Sequence, residues 1–554
     1  MKKNLVLLVA VVLSLGLFGL AACGNSSSSA TSAQVSSKAS DPVKVVCENG
    51  IMLGQSADGV TSFKGVPFAK PPVGELRWKA PQAPDPSDEQ IECYDFGYTA
   101  LQTEWHTEPA SYYPKSEDCL TLNIWESDGT TDSKEPKPVM VFFHGGAYGW
   151  GGTTDPMYDG RNFAKAHEDV ILVTCNYRLG LMSWADFSQV EGGEGYQDIN
   201  LGLRDHIAAL QWIQKNIAAF GGDPGNVTIF GESAGAWSAT ALTISPKARG
   251  LFKRAIAQSG EVAPKSRDAA RAYADLIMEA SGAKNMDELL AISGDEWMRI
   301  DAEKHIADEC CYVVVDGDVI PEDLDKAIED AAKSGVQLIV GSNQDEWNYF
   351  LDDAEGESEE EKLANWVEDM DAICNEAYED AGEEGKAALE KLARYEEDNV
   401  AAEYAGDGKV RAALAKSGFV TELWRYEILD FADRFADAGG DVRVYLWKVP
   451  STKDIMFKSA VHAVELPYVF NNLEDDIYTG EVDPAVAAKA QESWVSFAKT
   501  GDPSISDAEW KAYDTDARYT MVIEKGGWKC VSDPSKTARE LLEKAYGDEP
   551  YHVW

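Results

Sequence analysis

Short apolar runs alternate along this chain with segments whose apolar residues recur at helical spacing. Five runs are rich in β-branched and aromatic residues and are bounded by turn residues, which predicts buried strands. They are PVMVFFH, DVILVTCNYR, NVTIF, VQLIVGSN and VRVYLWKV. Between them, GLRDHIAALQWIQKNIAAF carries Leu203, Ile207, Leu210 and Ile213 on one face of a predicted helix. Strands that alternate with helices predict an α/β fold, with a mostly parallel central sheet and helices on both faces.

Two stretches, about 267–307 and 355–436, are charged, Ala-rich and helical in pattern. No Pro/Gly/Ser-rich linker isolates them, so they are interpreted as helical insertions packed over the sheet. We therefore expect residues 41–554 to form one domain.

The N-terminus has a different pattern. Lys2 and Lys3 precede the apolar run LVLLVAVVLSLGLFGL and the small residues before Cys23, which predicts a signal peptide over residues 1–22. The stretch LAAC resembles the lipobox of bacterial lipoproteins, in which this cysteine is lipidated, and a Ser-rich tether follows over residues 23–40. We expect export and lipid anchoring to the outer face of a bacterial cell membrane. A transmembrane anchor and plain secretion are the alternatives.

Charge and cysteine spacing exclude some partners. The net charge of −45 argues against nucleic acid, because phosphate binding needs clustered cations. No C-x-x-C spacing occurs, so no structural zinc site is expected. Export would permit disulfides. The pattern leaves open the pairing of Cys47, Cys310, Cys311, Cys374 and Cys530.

The stretch TIFGESAGAW holds Ser233 between Gly231 and Gly235. A predicted strand precedes the glycines and a predicted helix follows, which is the setting in which G-x-S-x-G forms a nucleophile elbow. A side chain at either glycine would crowd the turn. Ser233 would then lie at a helix N-terminus, where free N–H groups favour developing negative charge. The alternative is an ordinary Gly-rich loop between strand and helix.

A serine nucleophile needs a base. In α/β enzymes with a nucleophile elbow, the acid and the histidine follow the serine along the chain. Of seven histidines only His305, His462 and His552 do so. His305 lies in a charged helical pattern and His552 is near the chain end, whereas His462 lies in a loop after a predicted strand. For the acid, the strand VQLIVGSN runs into Asp345-Glu346 at its carboxyl end. The pattern does not separate the two, and an acidic pair there is also typical of a helix N-cap.

The oxyanion of acyl transfer needs hydrogen-bond donors. VMVFFHGGAYGWGG supplies a Gly-rich turn directly after a predicted strand, upstream of Ser233. This is where the H-G-G-G type of turn lies in lipases and esterases.

With these residues assembled, the chain resembles the type-B carboxylesterase family over about residues 41–545. FGGDPGNVTIFGESAG is similar to the family's active-serine signature and EDCLTLNIW to its second signature, although Ser127 departs from that pattern. Further similar stretches are GVPFAKPPVGELRWKAPQ, VVDGDVIPEDL, HAVELPYVF and WVSFAKTGDP. The resemblance implies an α/β-hydrolase fold, with Ser233 as nucleophile, His462 as general base and Glu346, not Asp345, as the acid.

The resemblance also implies roles for residues around this triad. The oxyanion donors would be the N–H groups of Gly146, Ala147 and Ala234. Ser259 matches a serine close to the triad, and Trp347 stands where the family usually has glycine, which would narrow the site. Cys93 and Cys119 match a family disulfide.

The implied activity is hydrolysis of a small-molecule carboxylic ester through an acyl-enzyme, with no metal and no organic cofactor. Amide, carbamate or lactone hydrolysis at the same site is the first alternative, and a non-catalytic adhesion protein is the second. An apolar substrate pocket is expected near Trp150, Trp184 and Trp237, unless these are core residues.

Overall fold

The computed structural model describes residues 41–103, 114–310, 312–351, 358–404, 406–453, 459–473, 480–547 and 550–553. The predicted signal peptide, Cys23 and the tether lie outside these residues. None of the helices in the described ranges is long and apolar enough to cross a membrane.

The described residues contain thirteen strands and thirteen α-helices. The strands are β1 (Val43–Cys47), β2 (Asn49–Ala57), β3 (Val60–Pro67), β4 (Ser87–Glu92), β5 (Thr121–Ser127), β6 (Lys137–Phe143), β7 (Ile171–Cys175), β8 (Gly222–Glu232), β9 (Arg254–Gln258), β10 (Gln337–Asn343), β11 (Asp441–Trp447), β12 (Tyr519–Glu524) and β13 (Gly527–Ser532). The helices are α1 (Arg161–Ala166), α2 (Leu201–Asn216), α3 (Ala234–Ile244), α4 (Arg267–Ser281), α5 (Met286–Ala291), α6 (Gly294–Lys304), α7 (Leu324–Lys333), α8 (Glu359–Asp380), α9 (Gly382–Glu403), α10 (Gly408–Asp437), α11 (Leu466–Phe470), α12 (Pro484–Thr500) and α13 (Lys536–Tyr546).

The strands form one sheet in the order β1-β2-β3-β5-β7-β6-β8-β9-β10-β11-β12-β13, with β4 paired to β2. The seven strands from β7 to β12 in this order are parallel. The pairs outside them are antiparallel, except that β4 runs parallel to β2. Short turns join β1 to β2, β2 to β3 and β12 to β13, and these pairs are antiparallel. Asp58 and Gly59, both at positive φ, link β2 to β3, and a two-residue hairpin can join only antiparallel strands.

The predicted elements are confirmed. The five apolar runs coincide with β6, β7, β8, β10 and β11, and the predicted helix is α2 followed by a 3₁₀ turn. The helical stretches contain α4 to α6 and α8 to α10. Strand β6 shows why the runs are continuous. Val139, Val141 and Phe143 belong to the core on one face of the sheet, and Met140 and Phe142 to the core on the other.

Helices cover both faces. Buried side chains of α3 and α10 belong to the first core, and those of α11 and α12 to the second. Strands β6, β8, β10 and β11 each lead at their carboxyl ends toward a segment that carries a predicted site residue. Because parallel strands end at the same edge of a sheet, these segments meet there.

Candidate active site

Ser233 occupies a strained turn between β8 and α3. Its φ of 56° and ψ of −124° are unusual for a residue with a side chain. Three hydrogen bonds hold this backbone. The Ser233 N–H donates to the Gln258 carbonyl at 2.9 Å, and the Ser233 carbonyl accepts from the N–H groups of Ala236 and Trp237 at 2.8 and 3.0 Å. The side chain is half-buried, so the hydroxyl is presented at the carboxyl edge of the sheet.

The glycines on either side of Ser233 are required by close backbone contact, as predicted. A Cβ on Gly231 would lie 2.4 Å from the Gly235 carbonyl carbon, and a Cβ on Gly235 would lie 2.0 Å from the Phe143 oxygen. Both distances are far below van der Waals contact. The turn that carries Ser233 therefore packs directly against the end of β6.

The Gly-rich loop after β6 lies beside this turn. A Cβ on Gly145 would be 3.1 Å from the Ser233 Cβ. Gly146 and Ala147 both have positive φ, 100° and 44°. Within the described chain, the N–H groups of Gly146, Ala147 and Ala234 donate no hydrogen bond. Three N–H groups of this loop and turn are therefore available to an oxygen atom, and they are the groups that the family resemblance implies as oxyanion donors.

His462 and Glu346 form a buried pair. The imidazole Nδ1 lies 2.7 Å from Glu346 Oε2, and the His462 N–H donates to the Glu346 carbonyl at 3.2 Å. Glu346 Oε1 accepts from the Asn343 N–H at 2.6 Å. The carboxylate is thus held on both oxygens, and the ring is oriented by its Nδ1 contact.

The adjacent Asp345 has a different set of partners. Its Oδ2 accepts from the Ala460 N–H at 3.1 Å, and its N–H donates to the Ala460 carbonyl at 3.0 Å. Asp345 therefore braces the backbone of the loop that carries His462, and Glu346 contacts the ring. The sequence pattern could not separate these two roles.

A residue that sequence reasoning missed contacts the other ring nitrogen. His462 Nε2 lies 3.1 Å from Glu232 Oε1, an ion-pair contact without hydrogen-bond geometry. The Ser233 hydroxyl and the His462 ring are both described and are not hydrogen-bonded to each other. Such bonds commonly tighten only when substrate is bound. The signal for Glu232 was present in the sequence, as a carboxylate inside the GESAG turn.

The carboxylates around His462 determine its charge. Burial lowers the pKa of His462, but the charges of Glu232 and Glu346 outweigh it and raise the pKa to about 9. Burial raises the pKa of Glu232 to about 8. A third buried carboxylate, Glu465, accepts from Gln258 Nε2 at 3.0 Å and from Asn343 Nδ2 at 2.7 Å. Glu465 was also missed, and its signal was its position three residues after His462.

Ser259 lies directly after β9. It is fully buried with a φ of 58°, and its N–H donates to the Gly341 carbonyl at 2.8 Å. Its hydroxyl has no hydrogen-bond partner among the described residues. Ser259 is therefore beside the Ser233 turn, as predicted, but its own contacts do not assign it a role.

The predicted disulfide is absent. Cys93 and Cys119, both described, are buried free thiols. The Cys93 sulfur lies 3.8 Å from Met52 Sδ and 3.6 Å from the Ile91 oxygen, so it packs within the β2–β4 layer. Both thiols are thus unpaired in the described structure, and the disulfide stays a prediction from the resemblance.

Aromatic side chains surround His462. Its ring centroid lies 5.7 to 6.0 Å from those of Trp424, Phe350 and Tyr349. Trp237 packs on Trp424 at 6.1 Å.

The residues predicted to shape the substrate pocket have different environments. Trp347, in place of the usual glycine, packs on Trp424 at 5.9 Å and so occupies space next to the site. Trp184 is a core residue against Tyr148, and Trp150 is half-buried in the Gly-rich loop.

A parallel sheet with helices on both faces, a strained serine turn after one strand and a His–Glu pair after two others define an α/β-hydrolase. The sequence comparisons name the family. A model of the Carboxylesterase family matches residues 41–540, and the chain belongs to that family.

Relatives and solved structures agree with this assignment. The para-nitrobenzyl esterase of Bacillus subtilis (strain 168) is 32% identical over 524 residues, covering 91% of this chain and 99% of that protein. The phenmedipham hydrolase of Pseudarthrobacter oxydans is 29% identical over 525 residues, covering 87% and 95%. The solved structure of the Geobacillus stearothermophilus carboxylesterase EST55 at pH 6.2 superposes with a TM-score of 0.74 at 32% identity, covering 90% and 99%. The protein is an ester-hydrolysing enzyme, and the adhesion alternative is set aside.

Proposed function

We propose that Ser233, His462 and Glu346 hydrolyse carboxylic esters through an acyl-enzyme. The observation that carries the proposal is the buried His462–Glu346 pair, with a 2.7 Å contact, at the same sheet edge as the strained Ser233 turn. In the first stage the Ser233 hydroxyl attacks the ester carbonyl carbon while His462 Nε2 takes its proton. The tetrahedral oxyanion accepts hydrogen bonds from Gly146, Ala147 and Ala234.

The intermediate then collapses. The bond between the carbonyl carbon and the alcohol oxygen breaks, and His462 gives its proton to the leaving alcohol. Water attacks the acyl-enzyme by the same route, with His462 again as base, and releases the acid and Ser233. Glu346 fixes the ring orientation throughout and stabilises the imidazolium.

The nucleophile is tested by Ser233→Ala. We expect hydrolysis of short p-nitrophenyl esters to fall by about 10⁴-fold or more while the fold survives, because the hydroxyl has no substitute. Circular dichroism and the thermal midpoint of the variant serve as the folding control. Unchanged turnover in a folded variant would contradict the mechanism.

The role of Glu346 as the acid of the triad is tested by replacing each of the two adjacent acidic residues with its amide. Glu346→Gln removes the charge next to the imidazole and is expected to lower kcat by about 10³- to 10⁴-fold. Asp345→Asn keeps an oxygen for the Ala460 N–H and is expected to change kcat less than about tenfold. Equal losses in the two variants would reject the assignment of Glu346.

For the substrate we propose esters with an apolar or aromatic group, which is supported by the rings around His462. The relative named para-nitrobenzyl esterase supports the same class. A panel of acyl lengths and alcohols, with an amide, a carbamate and a lactone, distinguishes this proposal from the alternative hydrolases. A higher kcat/KM for the amide or carbamate would replace ester hydrolysis as the main activity.

For the location we propose export and lipid anchoring at Cys23, supported by the LAAC stretch and the apolar run before it. Mass spectrometry of the mature N-terminus should find an acylated Cys23. A chain that begins at another residue, or an unmodified Cys23, would reject the anchor and leave plain secretion or a transmembrane segment.

A further inference from the structure

A large acidic cleft has a lining that includes none of Ser233, Glu346 and His462. It is bounded by the segment after β9, helices α7 and α10 and the segment after α13, with a volume of about 1220 Å³. Among the described residues, nine carboxylate side chains line it, against two arginines, Arg434 and Arg518. Each arginine is already ion-paired, Arg434 with Asp325 and Arg518 with Asp433. The cleft therefore favours cations, although an acidic lining alone does not define a site.

One carboxylate in this cleft has no partner. Glu261 is 8% exposed and lines the cleft, yet it makes no hydrogen bond and no ion pair with the described chain. Burial, with the charges of Glu427 and Asp430 added, raises the pKa of Glu261 well above its usual range. A buried carboxylate without a partner is costly to keep charged, so a positive ligand would stabilise it.

Two further ligand groups lie beside Glu261. One donor atom each from Glu261, Glu427 and His552 can be chosen so that all three lie within 4.8 Å of one another. His552 Nδ1 lies 3.6 Å from Glu427 Oε2. Around a tetrahedral ion with bonds of about 2.0–2.2 Å, ligand atoms are separated by about 3.3–3.6 Å. A contraction of the remaining distances would give three of the four ligands of a tetrahedral ion, and water would fill the fourth position on the exposed His552 side.

The surroundings of this trio resemble those of a metal centre. Glu427 Oε1 accepts from the Val553 N–H at 2.8 Å, which orients the carboxylate with Oε2 toward His552. Glu427 is 7% exposed, whereas the His552 side chain is 44% exposed. The trio is therefore buried on the protein side and open on the His552 side, where an ion can enter.

We propose that Glu261, Glu427 and His552 bind one divalent transition-metal ion of the Zn²⁺ type. An imidazole with two carboxylates suits such an ion, whereas Ca²⁺ and Mg²⁺ prefer oxygen ligands alone. The ion joins the segment after β9, helix α10 and the C-terminal segment, and so has a structural role separate from ester hydrolysis. The sequence expectation of no metal considered C-x-x-C spacing, and these ligands are 166 and 125 residues apart along the chain.

The test uses the full chain, purified without an affinity tag and freed of metal with a chelator. Zn²⁺ is titrated calorimetrically, and we expect one ion per chain and a higher thermal midpoint with metal than without. Glu261→Gln and His552→Ala should each weaken Zn²⁺ binding at least tenfold. Glu322→Gln is the matched control, since it neutralises another carboxylate of the same cleft outside the trio, and it should bind like the wild type.

Several results would overturn the proposal. They are no saturable Zn²⁺ binding, binding equally tight in Glu261→Gln, an equal loss in Glu322→Gln, or tighter binding of Ca²⁺ than of Zn²⁺. Metal-free variants are checked by circular dichroism and by ester hydrolysis, which should match the wild type. If Glu261→Gln does not fold, the exposed His552→Ala decides the outcome. Because hydrolysis is measured separately, failure of the metal site leaves the proposed triad untouched.

Discussion

Two neighbouring strands of the sheet end almost identically. Strand β8 ends in Glu232 followed by Ser233, and β9 ends in Gln258 followed by Ser259, with Glu232 opposite Gln258 in register. Ser233 has φ 56° and Ser259 has φ 58°. Each serine N–H donates to the next strand along, Ser233 to Gln258 at 2.9 Å and Ser259 to Gly341 at 2.8 Å.

The surroundings of the two serines differ. Helix α3 begins immediately after Ser233, the Gly-rich loop lies beside it, and its hydroxyl is partly exposed. Ser259 is fully buried and is followed by Gly260, which lies against Trp237. A strained serine at a strand end is therefore not sufficient for a nucleophile. Access, a helix N-terminus, donor N–H groups and a nearby base are what distinguish Ser233.

The largest expected difference concerns the glycines of the two turns. A Cβ on Gly235 meets the Phe143 backbone oxygen at 2.0 Å, so Gly235→Ala would displace the end of β6. We expect a loss of more than about 4 kcal/mol of stability, or no folded protein. A Cβ on Gly260 meets the Trp237 ring at 2.8 Å and the Ser233 carbonyl oxygen at 3.0 Å. The backbone contact is 1.0 Å longer than the one at Gly235, so Gly260→Ala should cost less, about 1–3 kcal/mol. Urea unfolding measures both, and equal losses would contradict the packing argument.

The next difference concerns the serines themselves. Ser259→Ala removes a hydroxyl that has no partner among the described residues, so kcat/KM should stay within about tenfold of wild type. The loss of about 10⁴-fold or more expected for Ser233→Ala is the comparison. The thermal midpoint of Ser259→Ala should match or exceed the wild-type value. A drop in activity as large as that of Ser233→Ala would show that the second turn takes part in the reaction.

The smallest expected difference concerns Glu232 and Gln258, the residues before the two serines, and is measured in the pH dependence of kcat/KM. Activity needs the neutral imidazole, so kcat/KM rises with pH through the pKa of His462, which Glu232 helps to raise to about 9. Glu232→Gln removes that charge and lowers the pKa of His462, so the rising limb of the pH profile should move to lower pH. The surface change Glu303→Gln is the charge-matched control. A limb that stays in place or moves to higher pH would show that Glu232 does not influence the base.

The centre of the fold could be predicted because β6, β7, β8, β10 and β11 are buried on both faces and give continuous apolar runs. The edge strands could not be predicted in this way. Strand β4, SDEQIE, is exposed along almost its whole length, and its pairing with β2 depends on backbone hydrogen bonds that leave no apolar pattern.

Site residues could be predicted where a motif or the order along the chain identifies them. Ser233 lies in the G-x-S-x-G motif, and His462 is one of three histidines after it. The contacts of Glu232 and Glu465 depend on which strands are neighbours, and the sequence does not state strand order. The choice between Asp345 and Glu346 depends on side-chain direction in one turn, which the pattern of apolar and polar positions does not contain. The contacts of Cys93 likewise follow from packing between β2 and β4.

The two loops that carry Glu346 and His462 are joined by more than the contact between their side chains. The Asp345 N–H donates to the Ala460 carbonyl, and the Ala460 N–H donates to Asp345 Oδ2. The His462 N–H donates to the Glu346 carbonyl. Asn343 Nδ2 donates to the Val461 carbonyl at 2.8 Å. Residues 343–346 and 460–462 are therefore tied together by backbone and side-chain hydrogen bonds beyond the ends of β10 and β11. The rotational entropy of the imidazole is therefore lost when the chain folds and not when an ester binds. The ring is already in its working orientation when substrate arrives.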